Sequence, residues 1–201
     1  MRLTVGVILC AAIALAQTPP AAPAVDLPDE PGLYAVFDTS MGVIVTKLFE
    51  DKTPNTVKNF VALAEGTKAT LNTSGQMVKK HYYDGLTFHR VIKGFMIQTG
   101  DIRGTGTSVC GIPNIKDEID PELKFDVVGR LAMANTGKPN TSACQIFITV
   151  GRTHEIDGQY TIFGQVVSGQ DVAVKISSVP VTNEKPVLPV RLKTVTIRRK
   201  E

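Results

Sequence analysis

The stretch from Leu86 to Asp101 holds the residues whose types and spacing best suit chemistry. Its apolar residues predict two strands on either side of a tight turn at Lys93-Gly94. Arg90 lies inside the first strand, and a guanidinium is costly to bury unless a polar group or ligand meets it. We expect Gln98, on the returning strand, to be the nearest such group. The alternative is an arginine on the solvated face of a sheet.

Several other chemistries lack the residues that they need. The histidines, His81, His89 and His154, lie apart and have neither ligand spacing nor clustered carboxylates, so no metal site is predicted. No glycine-rich phosphate loop leads into a helix, and no Gly-x-Ser-x-Gly elbow occurs. Cys144 is a conceivable nucleophile, but no neighbouring residue would activate it. We therefore expect neither a metal nor a cofactor.

The composition fits one globular domain. The chain has 201 residues, of which 43% are hydrophobic, which is enough for one well-buried core and little for two. Basic residues number 22 and acidic residues 19, and both are mixed along the chain. This balance gives no indication of a nucleic-acid partner.

The N-terminal segment has the composition of an export signal. Residues 1–16 combine a short basic start with an apolar run too short to span a bilayer. This pattern predicts a signal peptide cleaved near Ala16, and the alternative, an uncleaved anchor, would need a longer run. Residues 17–32 are rich in proline and alanine and predict an extended linker. The folded domain is expected over residues 33–201, in a protein that is periplasmic or secreted.

The rest of the chain alternates short apolar runs with turn-rich stretches. A hairpin is predicted from 33–39 and 43–48, and Thr53-Pro54 begins a helix that Thr53 can cap. Further strands are predicted at 127–134, 145–150, 160–167 and 190–199, a second helix at 170–177, and loops at 68–80, 104–120 and 180–189. Many short strands with two helices and no βαβ alternation favour an antiparallel sheet closed into a barrel.

Three ordered motifs resemble those of a known family. They are FHRVIKGFMIQTGD at 88–101, then MANTG at 133–137 with PNT at 139–141 and QIFI at 145–148, and finally IDGQYTIFG at 156–164. In order and spacing they resemble the signature segments of the cyclophilin family of peptidyl-prolyl isomerases. The resemblance runs from about Leu33 to the C-terminus.

The resemblance implies a mainly β fold, a closed eight-stranded antiparallel barrel capped by two α-helices, with the site on one outer face. It assigns catalysis to Arg90. The residues that it places around the proline ring are Phe95, Met96, Phe147 and Ile156. Those that it places on the peptide backbone are Gln98, Ala134, Asn135 and Gln145. Tyr160 stands where many relatives have histidine, and its hydroxyl can still form hydrogen bonds.

Three positions depart from the family pattern. Glu155 occupies a position where well-known members have tryptophan or another large ring. Because that tryptophan helps to bind cyclosporin, we expect weak cyclosporin binding here without loss of isomerase activity. Lys93 replaces a common proline in the turn, and Lys138 is an extra residue at the pocket's edge that can change which residue is preferred before proline.

Two cysteines, Cys110 and Cys144, remain after the predicted cleavage. The resemblance places both in loops that border the peptide groove, and an even pair in an exported protein is compatible with a disulfide. The alternative is two unrelated small residues, with Cys144 buried in place of a serine.

Two functional hypotheses follow from these residues. The first is an active isomerase that rotates X-Pro bonds in exported proteins and assists their folding. The second is a proline-peptide-binding module or chaperone with little turnover. Arg90, Phe95, Gln98 and Phe147 are all present, which favours the enzyme. In either case the partners are proline-containing polypeptides, and we expect a monomer.

Overall fold

The computed structural model describes residues 25–107 and 109–201. The predicted signal peptide, residues 1–16, lies outside these ranges, as does the start of the predicted linker. No helix within the described ranges has the length and apolar character that a membrane span requires.

The described residues form twelve strands, two α-helices and one short 3₁₀ turn. The strands are β1 (Gly32–Thr39), β2 (Gly42–Leu48), β3 (Ala69–Leu71), β4 (Met77–Lys79), β5 (Arg90–Ile92), β6 (Met96–Thr99), β7 (Arg130–Met133), β8 (Ile146–Thr149), β9 (Ile162–Ser168), β10 (Val181–Thr182), β11 (Lys185–Pro186) and β12 (Leu192–Lys200). The helices are α1 (Pro54–Ala64) and α2 (Gln170–Ser177), and the 3₁₀ turn spans His154–Ile156. The first hairpin and both helices confirm the sequence-based assignments.

Eight strands form one antiparallel sheet in the order β12-β1-β2-β9-β7-β8-β6-β5. This sheet curls into an open half-barrel, so the prediction of a closed barrel is wrong. The end strand β5 has only three residues. The chain just before β5 meets the chain just before β12 through the isolated bridge Thr87–Arg191. The backbone amide of Val91 donates instead to the carbonyl of Glu184 at 2.7 Å, so the β10–β11 turn occupies the edge that closure would need.

Two stretches expected to be loops each contain a short hairpin. Strands β3 and β4 pair across a turn in which the side-chain oxygen of Asn72 accepts the amides of Ser74 and Gln76 at 3.0 and 2.9 Å. Strands β10 and β11 are joined by Asn183 and Glu184, which have φ values of 49° and 64°. Positive φ at both central residues is typical of tight two-residue hairpins. The first stretch is polar and the second holds three prolines, so the composition of each concealed the pairing.

The main core lies between the inner face of the sheet and α1. Phe60 of α1 is fully buried, with its ring centroid 6.1 Å from that of Phe37, 5.3 Å from that of Tyr83 and 5.2 Å from that of Phe163. Offset and tilted aromatic pairs at such distances stabilise a core beyond their buried area alone. This packing holds the strands that carry the candidate site.

The N-terminus of α1 is capped from a distant loop. The sequence predicted Thr53 as the cap, but its hydroxyl donates to the carbonyl of Phe49 at 3.1 Å, so that prediction is wrong. The carboxylate of Glu118 takes the role, accepting the backbone amides of Asn55 and Thr56 at 3.1 and 2.7 Å. A carboxylate at this end also interacts favourably with the helix dipole.

Replacing Glu118 with alanine should lower the free energy of unfolding by about 1 kcal/mol, a value that allows for solvent screening of a partly exposed carboxylate. Burial raises the pKa of Glu118, but the hydrogen bonds from Thr56 and Asn55 outweigh it and hold the pKa below its ordinary range. Its stabilising effect is therefore fully present above the pKa that glutamate has in the unfolded chain, and disappears as the pH falls through the lower folded-state pKa.

Urea unfolding of wild type and Glu118→Ala, at about pH 7 and about pH 3, measures this difference. The two proteins should converge at the acidic pH. Glu122→Ala is the control, because Glu122 pairs only at the surface with Lys52 and its loss should change little. An equal loss of stability in both variants would contradict the capping role.

Residues 25–31, the end of the predicted linker, lie along the outer face of the sheet. Val25 and Leu27 pack with a small cluster that contains Tyr34. The hydroxyl of Tyr34 donates to the carbonyl of Glu30 at 2.6 Å, and Nη1 of Arg198 donates to the carbonyl of Val25 at 3.3 Å. These contacts fix the entry of the chain into the domain on the β1 side of the sheet.

Candidate active site

The alternation of the strands places one row of side chains on the outer face of the sheet. Arg90 pairs with Gln98, Gln98 with Phe147, and Phe147 with Ala132 across four adjacent strands. Directly paired residues point to the same side of a sheet. A cation, an amide and an aromatic ring are thereby brought together by register alone.

An aromatic stack forms the apolar wall of this face. The rings of Phe147 and Phe125 are stacked with their centroids 5.9 Å apart. Tyr160 meets Phe147 edge-on at 5.3 Å. Phe147 is held on two sides and is only 5% exposed, which leaves its ring little freedom to move. The cluster also includes Met96 and is separate from the main core.

A groove of about 420 Å³ runs over this wall. Its lining residues are Arg90, Phe95, Met96, Gln98, Gly106, Ala134, Asn135, Phe147, Ile156 and Tyr160. The groove therefore brings together all of the predicted catalytic and substrate-binding residues except Gln145. Gln145 lines an adjoining hollow of about 410 Å³, which shares Gln98, Ala134 and Asn135 with the groove.

A chain of polar contacts begins at the guanidinium. Nη1 of Arg90 donates to the side-chain oxygen of Gln98 at 3.5 Å. The amide nitrogen of Gln98 donates to the side-chain oxygen of Gln145 at 2.9 Å, and Gln145 donates to the carbonyl of Gly106 at 3.2 Å. On its other side, Nε of Arg90 donates to the carboxylate of Glu184 at 2.6 Å. These hydrogen bonds orient the side chains of Arg90, Gln98 and Gln145 relative to one another.

The side chain of Asn135 links two loops of the site. Its side-chain nitrogen donates to the carbonyl of Gln159 at 2.9 Å, and its side-chain oxygen accepts the amide of Gly137 at the same distance. These bonds tie the loop after β7 to the segment before β9. The rim of the groove beside Ala134 is thereby held in one shape.

A disulfide joins Cys110 to Cys144, and both residues line the adjoining hollow. The hydroxyl of Tyr82 donates to the carbonyl of Gly100 at 3.0 Å and lies 3.4 Å from the sulfur of Cys144, and the hydroxyl of Tyr83 donates to the carbonyl of Cys144 at 3.0 Å. Burial, with a smaller effect from Asp101, raises the pKa of Tyr82 far above its usual range, and burial likewise raises that of Tyr83. Both phenols therefore stay protonated and can donate.

Two of the residues that depart from the family pattern, Glu155 and Lys138, are exposed in turns beside residues that line the groove or the adjoining hollow. Glu155 is exposed on the 3₁₀ turn next to Ile156, and its carbonyl accepts the side-chain amide of Gln159 at 2.8 Å. Lys138 is exposed in the loop after β7, where its carbonyl accepts the hydroxyl of Thr141 at 2.7 Å. Within the described ranges, no group of three or more His, Cys, Asp or Glu side chains could hold a metal ion.

Three residues of the site were missed from the sequence. Phe125 supports Phe147 from a stretch without regular secondary structure, and Gly106 contributes a carbonyl from a loop. Glu184 lies 94 residues from Arg90 in the chain. The only signal for Glu184 was the Asn183-Glu184 pair, which is compatible with a turn but says nothing about its partner.

Comparisons with a family model and with known proteins all point to the same family. The model of the family described as "Cyclophilin type peptidyl-prolyl cis-trans isomerase/CLD" matches residues 34–197. The chain is 46% identical over 168 residues to peptidyl-prolyl cis-trans isomerase A of Mycobacterium tuberculosis, covering 81% of this chain and 91% of that protein. It is 40% identical over 165 residues to peptidyl-prolyl cis-trans isomerase-like 1 of Mus musculus, covering 81% and 89%.

Solved structures agree with this assignment. A cyclophilin-type peptidyl-prolyl cis-trans isomerase of Cryptosporidium parvum is similar with a TM-score of 0.70 and 35% identity, over 82% of this chain and 96% of that one. A second structure of that protein, crystallised in the presence of the dipeptide Ala-Pro, is similar with a TM-score of 0.69 and 34% identity, over 82% and 98%.

Proposed function

We propose that this protein acts on X-Pro bonds of exported proteins and assists their folding. The proposal proceeds from its family, because the chain belongs to the cyclophilin-type peptidyl-prolyl cis-trans isomerases and is an enzyme of that class. The observation that carries the assignment of the site is the position of Arg90. Its half-exposed guanidinium lies at a groove whose wall is the rigid ring of Phe147. A donor beside an apolar pocket suits a proline ring and its nitrogen.

The reaction needs a donor that acts only on the twisted amide. Rotation about the X-Pro bond breaks the amide resonance, which holds the planar forms behind a barrier of about 18–20 kcal/mol. The twisted proline nitrogen is pyramidal and carries a lone pair, to which an N–H of Arg90 donates. Because this bond is absent in either planar form, it stabilises the transition state selectively. Lowering the barrier by roughly 7 kcal/mol would accelerate exchange about 10⁵-fold.

The remaining residues of the groove and of the adjoining hollow hold the substrate around that donor. The proline ring contacts the apolar side chains Phe95, Met96, Phe147 and Ile156, with Tyr160 closing the edge. The peptide backbone on either side is held by Gln98, Ala134, Asn135 and Gln145. Fixing one flank while the other turns keeps the proline nitrogen beside the guanidinium. The step forms no covalent intermediate, and its chemistry calls for no metal or cofactor.

The compartment belongs to the same proposal. An N-terminal signal peptide cleaved near Ala16 would deliver the domain to the periplasm or the exterior. The Cys110–Cys144 disulfide supports this, because structural disulfides persist in oxidising compartments. The natural substrates would then be unfolded or newly exported chains that contain proline, bound by a monomer.

The test of the function is exchange spectroscopy on an Ala-Pro peptide with catalytic amounts of the mature chain. Acceleration of exchange between the cis and trans peaks is expected. Binding of the peptide without acceleration would instead support the alternative, a proline-binding module. Fractionation of cells that express the full chain tests the compartment, and retention in the cytoplasm would overturn that part.

Replacing Glu155 with tryptophan is expected to strengthen cyclosporin binding about tenfold or more, because the exposed carboxylate gives way to a large ring beside Ile156. Wild type should bind the drug weakly. Inhibition of peptide exchange measures both affinities. Glu155→Gln is the control for loss of charge alone, and equal gains in the two variants would contradict the ring's role.

A further inference from the structure

The catalytic guanidinium has a partner that the proposed mechanism does not use. Nε of Arg90 donates to Oε2 of Glu184 at 2.6 Å. We propose that Glu184 is a positioning residue, which fixes the plane of the Arg90 guanidinium so that its remaining N–H groups are available to the substrate. This inference rests on the proposed catalytic role of Arg90.

Glu184 is anchored on the strand that carries Arg90. Its carbonyl accepts the backbone amide of Val91, the next residue along, at 2.7 Å. The turn around it is closed by the pairing of Thr182 with Lys185, and Glu184 itself has φ of 64°. The main chain of Glu184 is thus fixed against β5, and its carboxylate reaches Arg90 from a defined point.

The guanidinium is held from two sides. Gln98 accepts from Nη1 at 3.5 Å, whereas Glu184 accepts from Nε at the shorter distance of 2.6 Å. An arginine side chain has several rotatable bonds, and fixing them costs conformational entropy. If the side chain were mobile, this cost would add to the barrier of the catalysed step. Two contacts on one planar group define its orientation before the substrate arrives. These two contacts leave one N–H of Nη1 and both of Nη2, and Arg90 lines the groove.

The pair is too exposed to have a large effect on stability. The side chains of Arg90 and Glu184 are 44% and 48% exposed. Exposed ion pairs change the free energy of unfolding little, because water and salt screen them. Removing the carboxylate should therefore leave the fold intact, and a loss of turnover would report on the orientation of Arg90.

The decisive variant is Glu184→Gln, with Glu184→Asp as the conservative partner. Glutamine has the same side-chain length as glutamate and the same preference against positive φ. The substitution should therefore leave the backbone of the turn unchanged. Glu50→Gln is the matched control, because Glu50 pairs with the exposed Arg199 at 2.7 and 3.0 Å, and its loss changes the net charge equally. Arg90→Ala serves as the reference for loss of catalysis.

Exchange of an Ala-Pro peptide over a range of peptide concentrations gives kcat and KM separately. We expect kcat of Glu184→Gln to fall about fivefold to tenfold with KM nearly unchanged, and Glu184→Asp to recover part of the loss. The Nε–H resonance of Arg90 in ¹⁵N spectra should be sharp and protected in wild type and exchange-broadened in Glu184→Gln. Glu50→Gln should match wild type in all three measurements.

Each other outcome has a defined meaning. An unchanged kcat in Glu184→Gln would overturn the positioning role. A raised kcat would also overturn it, because Glu184 would then be withholding Arg90 from the substrate. A change confined to KM would also overturn it. If Arg90→Ala retains the wild-type rate, the proposed catalytic role of Arg90 fails first, which separates that failure from a failure of the Glu184 inference alone.

Discussion

Replacing Arg90 with alanine should reduce the rate of X-Pro exchange about 10²- to 10³-fold. The guanidinium donates to the proline nitrogen only in the twisted state, so its loss raises the barrier without removing the apolar pocket. Binding of an Ala-Pro peptide should therefore persist. Line-shape analysis of peptide resonances measures the rate, and chemical-shift titration of the protein measures the affinity.

The fold of Arg90→Ala should be unaffected, because the side chain is 44% exposed and leaves no buried partner uncompensated. Arg199→Ala is the matched control, since Arg199 is also an exposed strand arginine that pairs with a glutamate. It should retain the full rate. Near-wild-type exchange in Arg90→Ala would remove the guanidinium from the mechanism and leave the aromatic groove as the main source of catalysis.

Removing the disulfide should have the largest effect on stability. The bridge closes a loop between residues 34 apart in sequence, and a loop of this length stabilises the folded state by about 3–4 kcal/mol. The double variant Cys110→Ser/Cys144→Ser should accordingly unfold roughly 10 °C lower than wild type. Thermal unfolding followed by circular dichroism, with and without a reductant, measures this shift.

The reductant provides its own control. It should lower the unfolding temperature of wild type towards that of the double variant and leave the double variant unchanged. If the wild-type transition does not respond to complete reduction, confirmed by thiol titration, the bridge contributes nothing to stability. The loop that the bridge holds includes residues of the hollow beside Gln145, so the double variant should also show a raised KM.

Local patterns predicted those parts of the site whose partners are near in sequence. Arg90 and Gln98 are eight residues apart around one turn, and strand alternation was enough to propose that they meet. The partners Phe125 and Glu184 come from irregular or turn segments, where no periodicity fixes the direction of a side chain. Their positions depend on packing between distant parts of the chain, which short-range propensity does not encode.

The same limit explains the wrong assignments in the fold. Thr53 fits the local rule for a helix cap, but that rule considers only neighbouring residues. The carboxylate of Glu118, from a distant loop, is a stronger acceptor and binds the amide of Thr56 instead. The strand pattern indicated an antiparallel sheet without showing whether its ends would meet. Closure depends on how many residues the last strands can pair, and here the short β5 is covered by the turn at Glu184.

The alternation of the central strands has a consequence for how this enzyme can evolve. Ile97 and Gln98 are neighbours in the chain, as are Ile146 and Phe147, yet one of each pair belongs to the main core and the other lines or adjoins the groove. Selection for a durable scaffold and selection for a new client therefore act on different positions of the same strands. Substitutions at inward positions such as Ile97 should therefore change mainly the free energy of unfolding, whereas substitutions at outward positions such as Gln98 should change mainly substrate binding and turnover.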